Sequence, residues 1–504
     1  MSRLDKPMFM PFEKWSPDLP EWRNPGAIVA KGVVARNGFY APIKKPVVLT
    51  DPLADVANGC VAAKRALDGT VFNYAATRSK LYEMTSALGW SERTRLVGGD
   101  YTTTDPDRWE FAQFGETLIG VNGWADDPQS ISLGDANFDA LAGSPPRARH
   151  IAVVQSFVVF GNTFDTIDGT RTSRLWWSPF NNAAGPYVPS LATQCSFRDL
   201  VGSGGAIQRI IGGEYGVVLR ERSLARMSYI GPPGVFQLDE IEDSHGCIAP
   251  WSAVKYGRLT FYLSDDGWYV FDGAQSAPIG RDIIDDTFKT DFQSSYAGNV
   301  IGSVDPVTKL IHFIYPGAGA SGGVPNRDLI LNPANMQFTT VDFNNEYVTP
   351  VYSSVPVTTD NVDAIYANTD ALDGFTDDSA YAGGGLQLGF FNDSHELTLL
   401  SGGNQPAQID TGERQLNPTG RAFVEGLRPM LDAASGVTVT ALERDTPYQT
   451  SVTTGESDTL DDIGEAHPRS DARLHRFRVE IAEDTEWRKA EGIYVTEVES
   501  AGVN

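Results

Sequence analysis

One unit recurs along most of this chain: an apolar strand, a polar turn, and a second strand rich in aromatic residues. It occurs as Val71-Phe72-Asn73-Tyr74 with Lys80-Leu81-Tyr82, and as Leu118-Ile119-Gly120-Val121 with Ser130-Ile131. Phe157-Val158-Val159-Phe160 with Leu175-Trp176-Trp177 and Val217-Val218-Leu219 with Met227-Ser228-Tyr229 continue the series. Thr260-Phe261-Tyr262-Leu263 with Trp268-Tyr269-Val270-Phe271 and Ile311-His312-Phe313-Ile314 with Leu329-Ile330-Leu331 complete six copies. Each reads as a β-hairpin, and the turns fall near Thr77, Asp126, Asp168, Arg222, Asp265 and Ser321, about 42 to 56 residues apart. A recurrence of that length, one hairpin plus flanking strands per unit, predicts the four-stranded blades of a β-propeller. A lone blade cannot bury both faces, whereas radially stacked blades bury them against each other.

A seventh hairpin is expected at Leu386-Gln387-Leu388-Gly389-Phe390 with Glu396-Leu397-Thr398-Leu399. It lies farther along than the rhythm allows, so residues 345–385 read as an insertion with Asp-rich loops. The expected fold class is therefore all-β, a propeller of six or seven blades over residues 47–404. Beyond residue 405 the strand candidates lengthen and alternate cleanly: Ala422 to Leu427, Val437 to Leu442, His475 to Ile481 and Ile493 to Val498. Alternation marks half-buried strands, so residues 405–504 are expected to form an appended small β-sandwich.

Residues 1–46 hold Pro7, Pro11, Pro17, Pro20, Pro25, Pro42 and Pro46. Proline fixes φ and removes a backbone donor, so this stretch reads as an extended arm. It nevertheless carries Phe9, Phe12, Trp15 and Trp22, whose large apolar surfaces need a partner. The arm either lies on its own domain or packs on a neighbouring subunit, and these four residues are the candidate partner-binding set.

The chain of 504 residues carries 40 Lys plus Arg against 65 Asp plus Glu, a formal charge of −25. Residues 1–100 hold 14 basic and 10 acidic side chains, residues 101–400 hold 16 and 36, and residues 401–504 hold 10 and 19. Such a surface repels phosphate and disfavours wrapping nucleic acid. Cys60, Cys195 and Cys247 are odd in number and far apart, which fits a reducing compartment better than a disulfide framework. The opening residues lack the apolar core of a secretory leader, and no run approaches the roughly 18 apolar residues of a membrane span. The expectation is a protein made in the cytoplasm with no membrane partner.

Chemistry-bearing motifs are weak. Asp243-Ser244-His245-Gly246-Cys247 gathers a hydroxyl, an imidazole and a thiol, but a nucleophile normally meets its base through the fold, so a turn with a small buried Cys247 is the better reading. The six histidines form no HExxH, and Asp265-Asp266, Asp285-Asp286 and Asp458 to Asp462 do not fit the EF-hand spacing. Ser264-Asp265-Asp266-Gly267-Trp268 approaches the sialidase Asp box but has the wrong Gly and Trp spacing. No catalytic residue, cofactor or metal is therefore expected, and the chain has the make-up of an assembly part.

The stretches Gly246-Cys247-Ile248-Ala249-Pro250, Phe261 through Gly273, and Pro278-Ile279-Gly280 resemble the blade sequences of nozzle proteins from short-tailed bacteriophages, also called tail tubular or packaged-DNA stabilisation proteins. Arg174-Leu175-Trp176-Trp177-Ser178-Pro179 and Arg473 through Val479 look like strands of the same group. The resemblance implies a structural, non-enzymatic virion protein of the tail. It would form a hexameric ring below the portal and adaptor, contact tail fibres or spikes, and close the ejection channel. Double-stranded DNA would pass without specific binding along an acidic wall, to which Asp265 and Asp266 are the candidate contributors, with the Asp-rich stretch Asp360 to Asp378 beside them. The alternative expectation is a carbohydrate-binding or carbohydrate-cleaving propeller, whose paired carboxylates the sequence does not single out.

Overall fold

A computed structural model describes residues 8–353, 385–433, 435–447, 449 and 452–502. Its backbone is almost entirely strand, with one seven-residue α-helix, Asp285–Asp291, among the described residues.

Each expected hairpin is the centre of a four-stranded antiparallel meander. The first sheet runs from Gly59–Lys64 to Trp90–Glu92, the second from Glu110–Phe114 to Asp139–Ala140, and the third from Arg147–Val154 to Ser196–Asp199. The fourth spans Ile207–Ile211 to Val235–Glu242, the fifth Val254–Tyr256 to Ser276–Pro278, and the sixth Ile301–Val304 to Gln337–Val341. The seventh uses Tyr347–Tyr352, Leu386–Phe391 and Leu397–Asn404, and takes its outermost strand, Lys44–Val48, from near the start of the chain. First strands lie beside first strands around a ring, with the turn Pro250–Ser252 intervening between the fourth and fifth sheets. Tyr347–Tyr352 returns against Gly59–Lys64, which closes the ring in the arrangement of a β-propeller.

Burial explains the recurring aromatic strands. Successive side chains on a strand point to opposite faces, and here both faces are covered. In the strand Phe157–Asp165, Phe157 and Val159 enter the core shared with the fourth sheet, while Val158 and Phe160 enter the core shared with the second. Val218 likewise faces the third sheet, and Val217 and Leu219 face the fifth. The middle strands therefore read as continuous apolar runs instead of alternating.

An extension of the sixth sheet and one further sheet share a core. Ala27–Lys31, Ala407–Thr411, Leu474–Ile481, Val437–Arg444 and Thr453–Thr459 extend the sixth sheet through a parallel contact between Lys31 and Thr340. Opposite them lie Val33–Ala35, Tyr40–Pro42, Ala490–Gly502, Arg421–Leu431 and Ser470–Ala472, with Met8–Pro11 paired to Ala490–Gly502. Phe12, Tyr40, Val424, Leu427, Phe477, Val479 and Ile493 fill the space between, continuous with Trp268 and Phe313 of the ring.

Three expectations are corrected. From residue 8 onward the segment 1–46 is built into sheets, and the prolines that argued against strands sit where they cost little. Pro11 ends a strand paired on one side only, and Pro46 lies in the outermost strand of its sheet, where no further ladder needs its missing N–H. The residues after 405 do not close a core by themselves, since Ala27, Val33, Tyr40 and Phe12 complete it. Tyr347–Tyr352, expected in the insertion 345–385, is the first strand of the seventh sheet; residues 354–384, with Asp360 to Asp378, lie outside the described residues.

Candidate binding site

Of the four arm aromatics, the fold separates two from two. Phe12 is fully buried within its own chain, and Trp15 is buried with its indole N–H donating to the Ile28 carbonyl at 2.9 Å. Neither is free to meet a neighbour, so both are corrected to core residues. Phe9 and Trp22 remain exposed at 39% and 50%. Phe9 leans on Tyr494 with ring centroids 4.8 Å apart, and Arg23 covers the Trp22 ring at 4.5 Å.

Asp265 and Asp266 form the turn between the middle strands of the fifth sheet, away from the ring axis. Asp266 is tied into its surroundings: Tyr269 Oη donates to it at 2.7 Å and Arg281 at 2.8 Å, with His245 Nε2 at 3.7 Å. Burial opposes its ionisation, but the hydrogen bonds from Tyr269 and Arg281 prevail and hold its carboxyl below the usual range. The glycines around this turn have a packing reason. A Cβ on Gly267 or on Gly280 would come within 2.1 Å or 2.0 Å of the Asp285 carboxylate, and Gly267 also has φ of +141°. Together they admit Asp285, whose Oδ1 accepts the Trp268 N–H at 3.2 Å. The fifth-sheet motifs singled out in the sequence thus build a buried carboxyl cradle.

Burial pushes the Asp285 carboxyl up to about 6, against the Trp268 hydrogen bond that favours its charge. A raised folded-state pKa means that the stabilising contribution is full below the ordinary value near 3.8 and is lost as pH rises through 6. Asp285→Asn keeps the acceptor for Trp268. It is expected to stabilise the protein at pH 8 by up to about 3 kcal/mol, because each tenfold change in a proton-binding constant between folded and unfolded chain is worth about 1.36 kcal/mol, and to have little effect at pH 4. Urea unfolding of both proteins at the two pH values checks this; equal differences at pH 4 and pH 8 would refute it.

The ring axis holds a buried polar cluster, which sequence reading missed because its members lie up to a hundred residues apart. Glu110 of the second sheet faces His150 Nδ1 of the third at 3.1 Å and Arg209 Nε of the fourth at 3.1 Å. The Arg209 guanidinium lies 4.6 Å over the Trp251 ring. Burial lowers the His150 pKa despite the Glu110 hydrogen bond. The remaining void, about 190 Å³, is bounded by Trp109, Arg209, Trp251 and Tyr347. Side chains therefore fill the axis of a single chain.

At one end this axis opens into a cavity of about 450 Å³ lined by Asn58, Arg78, Asp105, Arg108, Asn299 and Glu346, with Tyr296, Pro106, Val324 and Pro325 as apolar walls. Asn58, Arg108, Asn299 and Glu346 each precede the first strand of a sheet, and this is why a ring of meanders brings them together. Arg78 pairs with Asp105 at 2.6 Å. Glu346 accepts the Ala57 N–H at 3.0 Å and faces His395 Nδ1 at 2.7 Å. Among the described residues no cluster of three His, Cys, Asp or Glu side chains is placed to hold a metal ion.

No family model matches the chain, and no curated protein does. Among solved structures it is similar to the extracellular domain of BT4673 from B. thetaiotaomicron, at 9% identity and a TM-score of 0.40, covering 84% of this chain and 53% of that one. The chain thus spans about half the length of that structure. It is also similar to the Neurospora crassa Pan2 WD40 domain, at 6% identity and 0.36, covering 73% and 96%. The structure of U3-55K matches at 10% identity and 0.35, covering 61% and 88%.

Proposed function

We propose that this chain is a seven-bladed propeller with an interleaved β-sandwich, acting as the nozzle subunit of a short-tailed phage tail. In that reading it is a structural, non-enzymatic virion protein whose hexameric ring forms and closes the DNA channel below portal and adaptor, in contact with fibres or spikes. The observation that carries the reading is the excess of acid over base, −25 in all, most of it in residues 101–400. An acidic wall repels duplex phosphates where a basic one would hold them by counterion release. The resemblance of the fifth-sheet stretch to nozzle proteins supports the same reading. Because side chains fill the propeller axis, any duplex passage lies between copies and not through one. Exposed Phe9 and Trp22 are the arm residues left for contacts between copies.

The expected result is a hexamer by light scattering and a ring in negative stain, with weak duplex binding by the wild-type protein. Asp265→Lys should steepen the slope of log affinity against log salt by about 0.9 for each phosphate contact it gains. A monomer at micromolar concentration, or tight and strongly salt-dependent duplex binding by the wild type, would overturn the reading. The cavity at the mouth of the propeller axis favours the second reading, a carbohydrate-binding or carbohydrate-cleaving propeller; release of reducing sugar from a host polysaccharide would establish it.

A further inference from the structure

The cavity at the mouth of the propeller axis holds two donors that the fold leaves unused. Arg108 is 9% exposed; its Nη2 donates to Asn299 Oδ1 at 2.9 Å and its Nε to the Gly298 carbonyl at 3.4 Å. Both acceptors are neutral, and Nη1 has no acceptor among the described residues. Asn58 is 4% exposed, and its Oδ1 accepts the Trp109 N–H at 3.2 Å, leaving the Nδ2 protons without an acceptor among the described residues.

The two acids of the cavity are already engaged, Asp105 by Arg78 and Glu346 by the Ala57 N–H and His395. Once these pairs are made, Arg108 is the cation left over. A buried guanidinium with only neutral partners is costly to keep unless something negative meets it. Burial accordingly lowers the pKa of Arg108, with Asp105 and Glu346 too weakly placed to offset it.

We propose that the mouth of the propeller axis is an oxyanion site, in which Arg108 Nη1 and Asn58 Nδ2 receive a carboxylate or phosphate group of a small ligand. The guanidinium fork suits either anion, since both present paired oxygens. Tyr296, Pro106, Val324 and Pro325 seat the carbon framework, and about 450 Å³ is the size of pocket that takes a ligand of one or two rings. The site is independent of the nozzle reading, which stands or falls on ring assembly.

The test uses the full chain and three probes: glucuronate, inorganic phosphate and neutral glucose, with binding read by calorimetry and by ligand-observed NMR. Saturable binding of glucuronate or phosphate is expected, with none for glucose. Asn58→Asp keeps the acceptor for the Trp109 N–H while placing a carboxylate beside Arg108, so it should fold normally and weaken anion binding at least tenfold. Arg108→Gln should do the same. Binding of glucuronate alone identifies an acidic saccharide or other carboxylate ligand, and binding of phosphate alone a phosphorylated one. Failure of both anions to bind the wild type, wild-type affinity in folded Asn58→Asp, or glucose binding as well as glucuronate would each overturn the site.

Discussion

Phe12→Ala is expected to lower the unfolding free energy by about 3–5 kcal/mol, the cost of emptying a fully buried aromatic site. Phe12 sits between the two sheets of the second core, its ring 6.4 Å from that of Tyr40 and its N–H donating to the Glu491 carbonyl at 3.0 Å. The void would open where residues from both ends of the chain meet, so little local collapse can fill it. Phe9→Ala, on the exposed side of the same segment, should change stability by less than about 1 kcal/mol. Removing residues 1–24 takes away more than an assembly contact. Phe12 and Trp15 leave the core, and the Asp18 carboxylate no longer accepts the Asp286 and Thr287 N–H groups at 2.9 Å each. Arg444 also loses Glu21, 2.9 Å away. Guanidinium denaturation followed by near-ultraviolet circular dichroism distinguishes the variants, and a Phe12→Ala protein within about 1 kcal/mol of wild type would contradict the placement.

A comparable loss, about 3 kcal/mol, is expected for Arg478→Met. Asp410 is fully buried and receives Arg478 through two bonds of 3.0 Å each, in the forked geometry that matches guanidinium to carboxylate. The hydrogen bond to Asp410 raises the Arg478 pKa, against burial. Taking the arginine away strips a buried carboxylate of its forked partner, and breaking a buried pair in this way typically costs about 3–5 kcal/mol. The lower end applies because Arg476 stays 3.7 Å from the same carboxylate. Asp410→Asn combined with Arg478→Met should cost less than the two single changes added together, since the second change removes the stranded charge. Additive losses in the double-mutant cycle would show that the pair is not coupled.

The repeating part of the fold was legible because it is local. Six of the seven meanders draw on one contiguous stretch each, from residues 254–278 at the shortest to residues 147–199 at the longest, and the aromatic strand recurs for a reason that applies to every sheet alike. The first strand of the seventh sheet was missed. Tyr347–Tyr352 contains Pro350 and precedes the long segment to Leu386, so neither spacing nor turn chemistry announces it. Strands in the first 48 residues were hidden by prolines whose position in a sheet is a tertiary fact. The cavity residues Asn58, Arg108 and Glu346 carry no local signal, for each is one ordinary side chain before a strand; only the closing of the ring collects them. Phe12 and Phe9 look equivalent in sequence, and pairing of Met8–Pro11 with Ala490–Gly502 decides which faces inward.

That the seventh sheet borrows Lys44–Val48 bears on the order of events during folding. Six of the meanders can form from contiguous chain, each closing short loops. The last pairing joins Val48 to Thr398, about 350 residues away, and so carries the largest loop-closure entropy of the ring. During synthesis at about 5–20 residues per second, Lys44–Val48 would wait some tens of seconds for its partner. Throughout that interval the backbone ladder of Lys44–Val48 has no partner, and the face of the first sheet that packs on the seventh lacks cover. Refolding is therefore expected to show fast gain of strand signal followed by a slow, aggregation-prone step in which the ring is sealed.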